Sequence, residues 1–512
     1  MIDNLIPPFL LDTDTYKLGH PRMYPADAVE LRAYFTCRGP LFEYDERIVV
    51  YGLRYAFDTI LSRQIVQQDI DDAEQWLQKH GVANTPMEWP KNLWQKVVDD
   101  YDGYIPVEVR ALREGSVIYP QVPVFEIIAR QGDLEGGDFQ YLVTYLETAL
   151  MRIWSPMVTA TKSAMVRAYL QTLFDASVDD ELHYLLDSRL HDFGSRGVSS
   201  QETAMVTGAA HLCSFDGTDT MVAGWLATKY NDGKHVGTSV LATEHSVMTC
   251  WDTEMGAVQN AIEIAPEGSI LSVVADSYSY SNFLNNVLPI VAPLAQAKNL
   301  LFVIRPDSGD PVSCVIDGLN AASRAFGYDL NSKGYKVLRG AAVIQGDGIN
   351  VEKLFEIADK VHAAKYSAQC VAYGMGGGLL QKQDRDTLKV AIKLCAMRTS
   401  DGILHPRMKK PSDDISKTSL PGPFQVNRVS GRPQVYPLYG AAWEDRRNEQ
   451  DLLETIWDCG PTDYQWETID QIRERIRREW SRSIPLNTEV LSNQMVAKLE
   501  AAAAEIRERY PV

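Results

Sequence analysis

SILSVVADS (269–277), LLFVIRPDSG (300–309), AAVIQGDG (341–348) and CVAYGMGGG (370–378) share one grammar: a short β-branched apolar run that stops abruptly in charged or glycine-rich residues. Between them lie SNFLNNVLPIVAPLAQAK (281–298), VSCVIDGLNAASRAF (312–326) and VEKLFEIADKVHAAK (351–365), whose apolar residues recur at helical spacing. Strand, helix, strand, helix at these lengths predicts consecutive βα units of a parallel sheet. In such sheets the C-terminal ends of the strands form the ligand-binding face. Asp276, Arg305, Asp307, Asp347 and the glycines of 374–378 are therefore expected at one mouth.

Outward from this core, LHDFGSRG (190–197) and the segment around Thr243, Glu244 and His245 supply further barrel elements. The first 150 residues read differently, with alternating strands in ELRAYFTCR (30–38) and YIPVEVRALREGSVIYPQVPVFEI (104–127) around helical segments such as DDAEQWLQKH (71–80). The chain ends in a helical pattern, VLSNQMVAKLEAAAAEIRERY (490–510). The expected organisation is a barrel over 151–394 and an α/β domain built from both chain ends, 1–150 with 395–512. QIRERIRREWSR (471–482), basic with interleaved glutamates, reads as a solvated helix face.

The 512 residues carry 50 Lys and Arg against 68 Asp and Glu, a net charge of −18, which argues against a nucleic-acid binder held by neutralised phosphates. A 45% hydrophobic, 23% charged composition is that of a globular protein with a large core. Seven scattered cysteines without a CxxC pair read as reduced thiols. The acidic start lacks the features of a signal peptide, and no apolar run reaches the roughly 18 residues of a membrane span. A cytoplasmic protein without membrane or nucleic-acid partners is expected.

GMGGG (374–378) after a strand exposes backbone N–H groups to an anion, and it is neither GxGxxG nor a P-loop. Either it binds phosphate or it makes a tight turn; QGDG (345–348), a second glycine-bearing strand end, favours phosphate. A carboxylate beside bound phosphate needs ribose hydroxyls or Mg²⁺ to face, so Asp347 and Asp307 are candidates for those roles. Arg196 and Arg305 at strand ends either grip phosphate oxygens bidentately or form buried Arg–Asp pairs. His245 shows no metal-binding spacing, and no metal ligand set is assigned. The residues alone reach an α/β barrel that binds a phosphorylated, ribosyl ligand, without a reaction.

HDFGSRGVSSQETA (191–204), GTDT (217–220), TEHS (243–246), DSYSY (276–280), IRPDSG (304–309), SKGYK (332–336), VIQGDG (343–348) and GMGGGLLQKQDRD (374–386), with DTDTYKLGH (12–20) and FTCRG (35–39), closely resemble the nicotinamide phosphoribosyltransferase family. The resemblance covers nearly the whole chain. It implies a type II phosphoribosyltransferase: an irregular α/β barrel with an α/β sandwich domain, working as a homodimer with active sites at the subunit interface. It also implies joining of nicotinamide to 5-phosphoribosyl-1-pyrophosphate in NAD salvage, with Mg²⁺, and stimulation by ATP through phosphorylation of His245.

By the same resemblance Phe193 and Tyr16, the latter from the second subunit, sandwich the pyridine ring. Asp219 accepts the carboxamide N–H and repels the carboxylate of nicotinate; Ser239 joins this end of the site. Arg196, His245 and Arg305 surround ring, ribose and pyrophosphate, with Asp307 at the ribose hydroxyls. Gly346, Asp347, Gly376 and Gly377 receive the 5′-phosphate end, and Arg385, Lys393 and Lys417 reach in from the second subunit. Glu244 and Asp276 are expected to fix the imidazole's tautomer. Ala342 stands where the family carries an arginine, so one phosphate contact is absent or supplied elsewhere. MKKPSDDISKTS (408–419), which contains Lys417, matches loosely. The alternatives are nicotinate phosphoribosyltransferase and a nucleotide-binding protein on the same fold without turnover.

Overall fold

The computed structural model describes residues 7–131, 139–411, 417–438, 450–487 and 489–509. The chain forms two compact units, one of residues 159–383 with 468–473 and the other of residues 1–158, 384–467 and 474–512.

The first of these is built on seven parallel strands: β1 (Leu190–Asp192), β2 (Gly217–Thr218), β3 (Leu241–Ala242), β4 (Ile270–Val274), β5 (Leu301–Arg305), β6 (Ala341–Gln345) and β7 (Val371–Met375). They lie in the order β2-β1-β7-β6-β5-β4-β3. A parallel bridge between Gly217 and Thr238, just ahead of β3, joins the two edges. The ring is thus closed by one bridge where a regular barrel would have a full ladder.

The connecting helices start where local chemistry says they should. Helix α1 (Trp154–Ser177) precedes the ring, and α2 (Gln201–His211) opens on Ser200, whose hydroxyl accepts the Thr203 N–H. After α3 (Met221–Lys229), α4 (His245–Thr249), α5 (Glu254–Ile264) and α6 (Leu288–Ala297) comes α7 (Pro311–Phe326), with Asp310 as N-cap and proline at its first position. Asn350 caps α8 (Val351–Ala363) in the same way. Val315, Leu319 and Ala322 of α7, and Leu354, Ile357 and Val361 of α8, are buried at helical spacing, the pattern of a helix laid on a sheet.

Inside the ring sits a small apolar cluster of Val303, Ala342, Ile344 and Ala372, with Phe193 and Leu301 packed on it. Ala342 therefore presents a methyl group to an apolar interior, and no phosphate contact arises at that position.

The second unit carries an antiparallel sheet of six strands in the order 404–406, 391–399, 28–36, 123–130, 107–111 and 454–458, drawn from both ends of the chain. QIRERIRREWSR is helical within Ile469–Arg482, but its face is not simply solvated. Ile472, Ile476 and Trp480 are buried, and Arg475 pairs with Glu467 at 2.8 Å. The seven cysteines are unpaired, and among the described residues no helix is long and apolar enough to cross a membrane.

Candidate active site

Side chains alternate along a strand, so the ladder register decides what points into the ring. β5 pairs Val303 with Ser272 of β4 and with Ala342 of β6, while β7 pairs Gly374 with His191 of β1. Two residues further along β5, β7 and β1 the same face carries Arg305, Gly376 and Phe193; on β6 it carries Gly346 four residues beyond Ala342, and two residues beyond Arg305 comes Asp307. Together with Asp219, Glu244, His245 and Asp347 these residues line one open cavity of about 960 Å³. Arg196, in the short turn Ser195–Gly197, and Gly377 complete its wall.

His245 opens α4 and is held from two sides. Its Nε2 faces Asp307 Oδ2 at 3.2 Å and Asp276 Oδ1 at 4.0 Å, and its Nδ1 faces the Ser277 hydroxyl at 3.0 Å. A carboxylate only accepts, so Nε2 donates to Asp307, and in the neutral ring Nδ1 is then the acceptor of the Ser277 hydroxyl. The carboxylate that sets the tautomer is thus Asp307, with Asp276 behind it. Glu244, adjacent in sequence, instead accepts from the Ser246 hydroxyl. Asp276 is buried, and its Oδ2 accepts the Asp307 N–H at 2.9 Å and the Ser308 hydroxyl at 2.6 Å.

Among the described residues Arg305 forms no Arg–Asp pair. Its Nη2 donates to the Thr243 carbonyl at 3.0 Å, and its buried Nε has no hydrogen-bond partner among the described residues. Asp276 Oδ1 is likewise buried and unpartnered. Of the two, Arg305 lines the cavity, whereas Asp276, expected at the mouth, lies behind His245 and Asp307 and is not among the lining residues; an unsatisfied donor at such a wall suits an anionic ligand.

Phe193 lies against glycine. A Cβ on Gly374 would come within 2.0 Å of its ring and one on Gly346 within 3.0 Å, so these two glycines make the room that the Phe193 ring occupies. Asp192, which the sequence did not single out, ties this end together. Its Oδ1 accepts the Gly194 N–H at 2.7 Å, its Oδ2 meets the Thr218 hydroxyl at 3.4 Å, and its carbonyl accepts the Asp219 N–H at 2.9 Å. Burial pushes the Asp192 carboxyl up to about 6, against the Gly194 N–H and the hydroxyls of Thr220 and Thr218. Asp219 itself is exposed in the cavity and accepts from the Ser239 hydroxyl.

At the glycine end, Gly376, Gly377 and Gly378 form the wall together with Lys382, a cation the sequence reading passed over although it lies in the quoted GMGGGLLQKQDRD block. Tyr16, Arg385, Lys393 and Lys417 belong to the other unit. Tyr16 is 66% exposed, and Arg385 is exposed beside Asp386. Burial lowers the Lys393 ammonium, Glu147 opposes, and Arg38, Lys409 and Arg385 lower it further, which marks a cluster of four cations on that unit. Lys417 is exposed, and residues 412–416 of its segment lie outside the described residues.

Residues 188–438 match the nicotinate phosphoribosyltransferase (NAPRTase) family, and residues 8–109 match the nicotinamide phosphoribosyltransferase N-terminal domain. A nicotinamide phosphoribosyltransferase of Xanthomonas campestris pv. campestris is 37% identical over 478 residues, 92% of this chain and 98% of that protein. One of Mycoplasma pneumoniae is 28% identical over 84% of this chain and 97% of its own length. Among solved structures, human nicotinic acid phosphoribosyltransferase superposes with a TM-score of 0.61 at 18% identity, covering 96% of this chain and 99% of that one. The nicotinate-nucleotide pyrophosphorylase of Pyrococcus furiosus gives 0.60 at 15% identity, covering 93% and 96%. These two establish the shared fold.

Proposed function

This chain belongs to the nicotinamide phosphoribosyltransferase family, and we propose that it transfers the phosphoribosyl group of 5-phosphoribosyl-1-pyrophosphate to the ring nitrogen of nicotinamide, releasing pyrophosphate. The observation that carries this reading is the one cavity shared by the Phe193 ring, an exposed carboxylate, two arginines and a glycine turn.

The chemistry asks little of a general base. The pyridine nitrogen already has a free lone pair, so the barrier lies in developing positive charge on the ribose carbon while pyrophosphate departs. That is positional and electrostatic work. Phe193 holds the ring flat, and Asp219 accepts the carboxamide N–H. Asp307 faces the ribose hydroxyls, and Arg305 and Arg196 take the growing charge on pyrophosphate. Gly346, Asp347, Gly376 and Gly377 seat the 5′-phosphate end. Asp307, with Asp276 behind it, would hold Mg²⁺: both are hard carboxylate ligands, and Asp276 Oδ1 has no hydrogen-bond partner among the described residues. Bound there, the ion would supply further charge neutralisation for pyrophosphate.

ATP stimulation through His245 agrees with its tautomer: Nε2–H is held by Asp307, so Nδ1 is the nucleophilic atom and Ser277 must turn aside for it to attack. A homodimer agrees with the exposure of Met221, Trp225 and Trp251 on and beside α3 and α4, and of Tyr16. The second subunit would then bring Tyr16, Arg385, Lys393 and Lys417 to the cavity.

A steady-state assay with nicotinamide and with nicotinate, each with and without ATP, tests the reading. Mononucleotide from nicotinamide at kcat/KM well above nicotinate is expected. Turnover of nicotinate alone would transfer the chain to the sister activity, and no turnover of either would leave the non-catalytic alternative.

A further inference from the structure

Thr159 and Lys162 sit three residues apart on α1, hence on one face of it, and both grip the turn that follows β7. The Thr159 hydroxyl donates to the Leu379 carbonyl at 3.2 Å, and Lys162 Nζ donates to the Gly378 carbonyl at 2.9 Å. Gln383 braces the pair: its Oε1 accepts from Lys162 at 3.0 Å and its Nε2 donates to Thr159 at 3.2 Å. Gly378 also lines the cavity, so this lysine touches the cavity wall from behind.

Lys162 is unusual in what it lacks. It is 7% exposed, both of its acceptors are neutral oxygens, and among the described residues it makes no ion pair. Burial pulls its ammonium down to about 8, and the charged group that opposes this is Glu352 in the first turn of α8. A buried cation with no carboxylate in contact is unfavourable on its own. It becomes favourable when an anion sits on the far side of the glycine turn it holds.

We propose that Lys162 is a positioning residue for the phosphate monoester end of the substrate, holding the Gly378 carbonyl out of the cavity and supplying, from behind the glycine turn, the charge that the phosphate dianion answers. The inference rests on the reading of that turn as the seat of the 5′-phosphate. Its consequence is a linkage: a dianion on the turn strengthens the lysine's hold on its proton, so at pH near 8 binding draws a proton from solvent. Glu352 acts in the same direction in the free and bound states and does not cancel the difference.

Ribose 5-phosphate is the probe, because its second ionisation, at about 6, is complete at pH 8 and the ligand itself contributes no proton. Calorimetric titration at pH 8 in buffers of different ionisation enthalpy should give uptake of a few tenths of a proton per site. Lys162→Gln keeps an N–H for Gly378 without the charge. It should lose the uptake, bind ribose 5-phosphate about tenfold more weakly, and raise KM for 5-phosphoribosyl-1-pyrophosphate about tenfold with KM for nicotinamide changed less than twofold. Lys162→Arg should recover part of the affinity. No uptake in the unmodified protein, or equal uptake in Lys162→Gln, overturns the proposal, and the first of these needs no variant to fold. Uptake in a protein that turns over neither nicotinamide nor nicotinate would remove the reaction and keep Lys162; turnover of nicotinamide without uptake would do the reverse.

Discussion

Glu30 in the antiparallel sheet and Arg305 in the barrel carry buried charge in opposite ways. In the antiparallel sheet, Glu30 lies directly across from Arg130 on one neighbouring strand and Arg398 on the other, with Arg32 beside it. Burial alone would raise the Glu30 carboxyl, but Arg32, Arg130 and Arg398 hold it below the usual carboxylate range. In the barrel, Arg305 Nε and Asp276 Oδ1 are buried with nothing among the described residues to bond, and Lys162 meets only neutral oxygens. A charge answered within the chain holds the fold together; one left unanswered at a cavity is waiting for a ligand.

That contrast gives a paired test with the largest expected effects. Glu30→Ala removes the buried carboxylate that Arg32, Arg130 and Arg398 share and should cost about 3–5 kcal/mol of stability, read from denaturant unfolding, while kcat/KM of the folded fraction stays put. Arg305→Ala should do the reverse, lowering kcat/KM by about a hundredfold to a thousandfold with little change in unfolding midpoint. If Arg305→Ala instead unfolded the protein at unchanged activity, the unsatisfied atoms would be a structural defect and not a ligand's imprint.

A milder exception sharpens the comparison. Glu114, in the unit of the antiparallel sheet, is buried, and its Oε1 accepts the Gly52 and Arg54 N–H groups at 2.7 and 3.2 Å. Burial still pushes its carboxyl up to about 7. The native state therefore holds this proton more tightly than the unfolded chain, so the stability it contributes is complete below about pH 4.5 and is lost as pH rises to about 7. Glu114→Gln keeps Oε1 as acceptor and removes the ionisation. Stability measured at pH 8 should rise by about 1–2 kcal/mol, with no gain at pH 4; an equal change at both would assign the effect to packing.

How much of this was legible follows from what the sequence encodes locally. The barrel strands showed because β-branched runs end sharply at Asp276, Arg305, Gln345 and Met375, and alternation then aims the strand-end residues inward. Contacts across the ring left no such trace. Glu244 looked like the partner of His245 because it is adjacent, whereas the register brings Asp307, 62 residues away, to Nε2. Lys162 was hidden for a related reason: within a long helix a lysine reads as solvent-facing, and only the turn after β7 folding back on α1 buries it. Asp192 passed as part of a strand, although it anchors both Phe193's turn and Asp219.

Asp219 is the residue on which nicotinamide and nicotinate part, and the smallest effect tests it. It is a carboxylate left exposed in the cavity, with the Ser239 hydroxyl on Oδ1 and no cation paired to it in the described residues. Facing a carboxamide it accepts an N–H; facing a carboxylate it meets like charge, and the two substrates separate by that difference. Asn keeps Oδ1 for Ser239, so Asp219→Asn should leave the fold intact while relieving the repulsion. The ratio of kcat/KM for nicotinamide to that for nicotinate should fall about tenfold, which is one pair of partly solvated charges at effective dielectric 20 or above. Raising ionic strength should shrink the same ratio in the unmodified enzyme and leave it flat in the variant, because only the charged side chain is screened. A ratio that ignores both the substitution and the salt would place discrimination elsewhere, in the fit of the ring against Phe193 and the two glycines behind it.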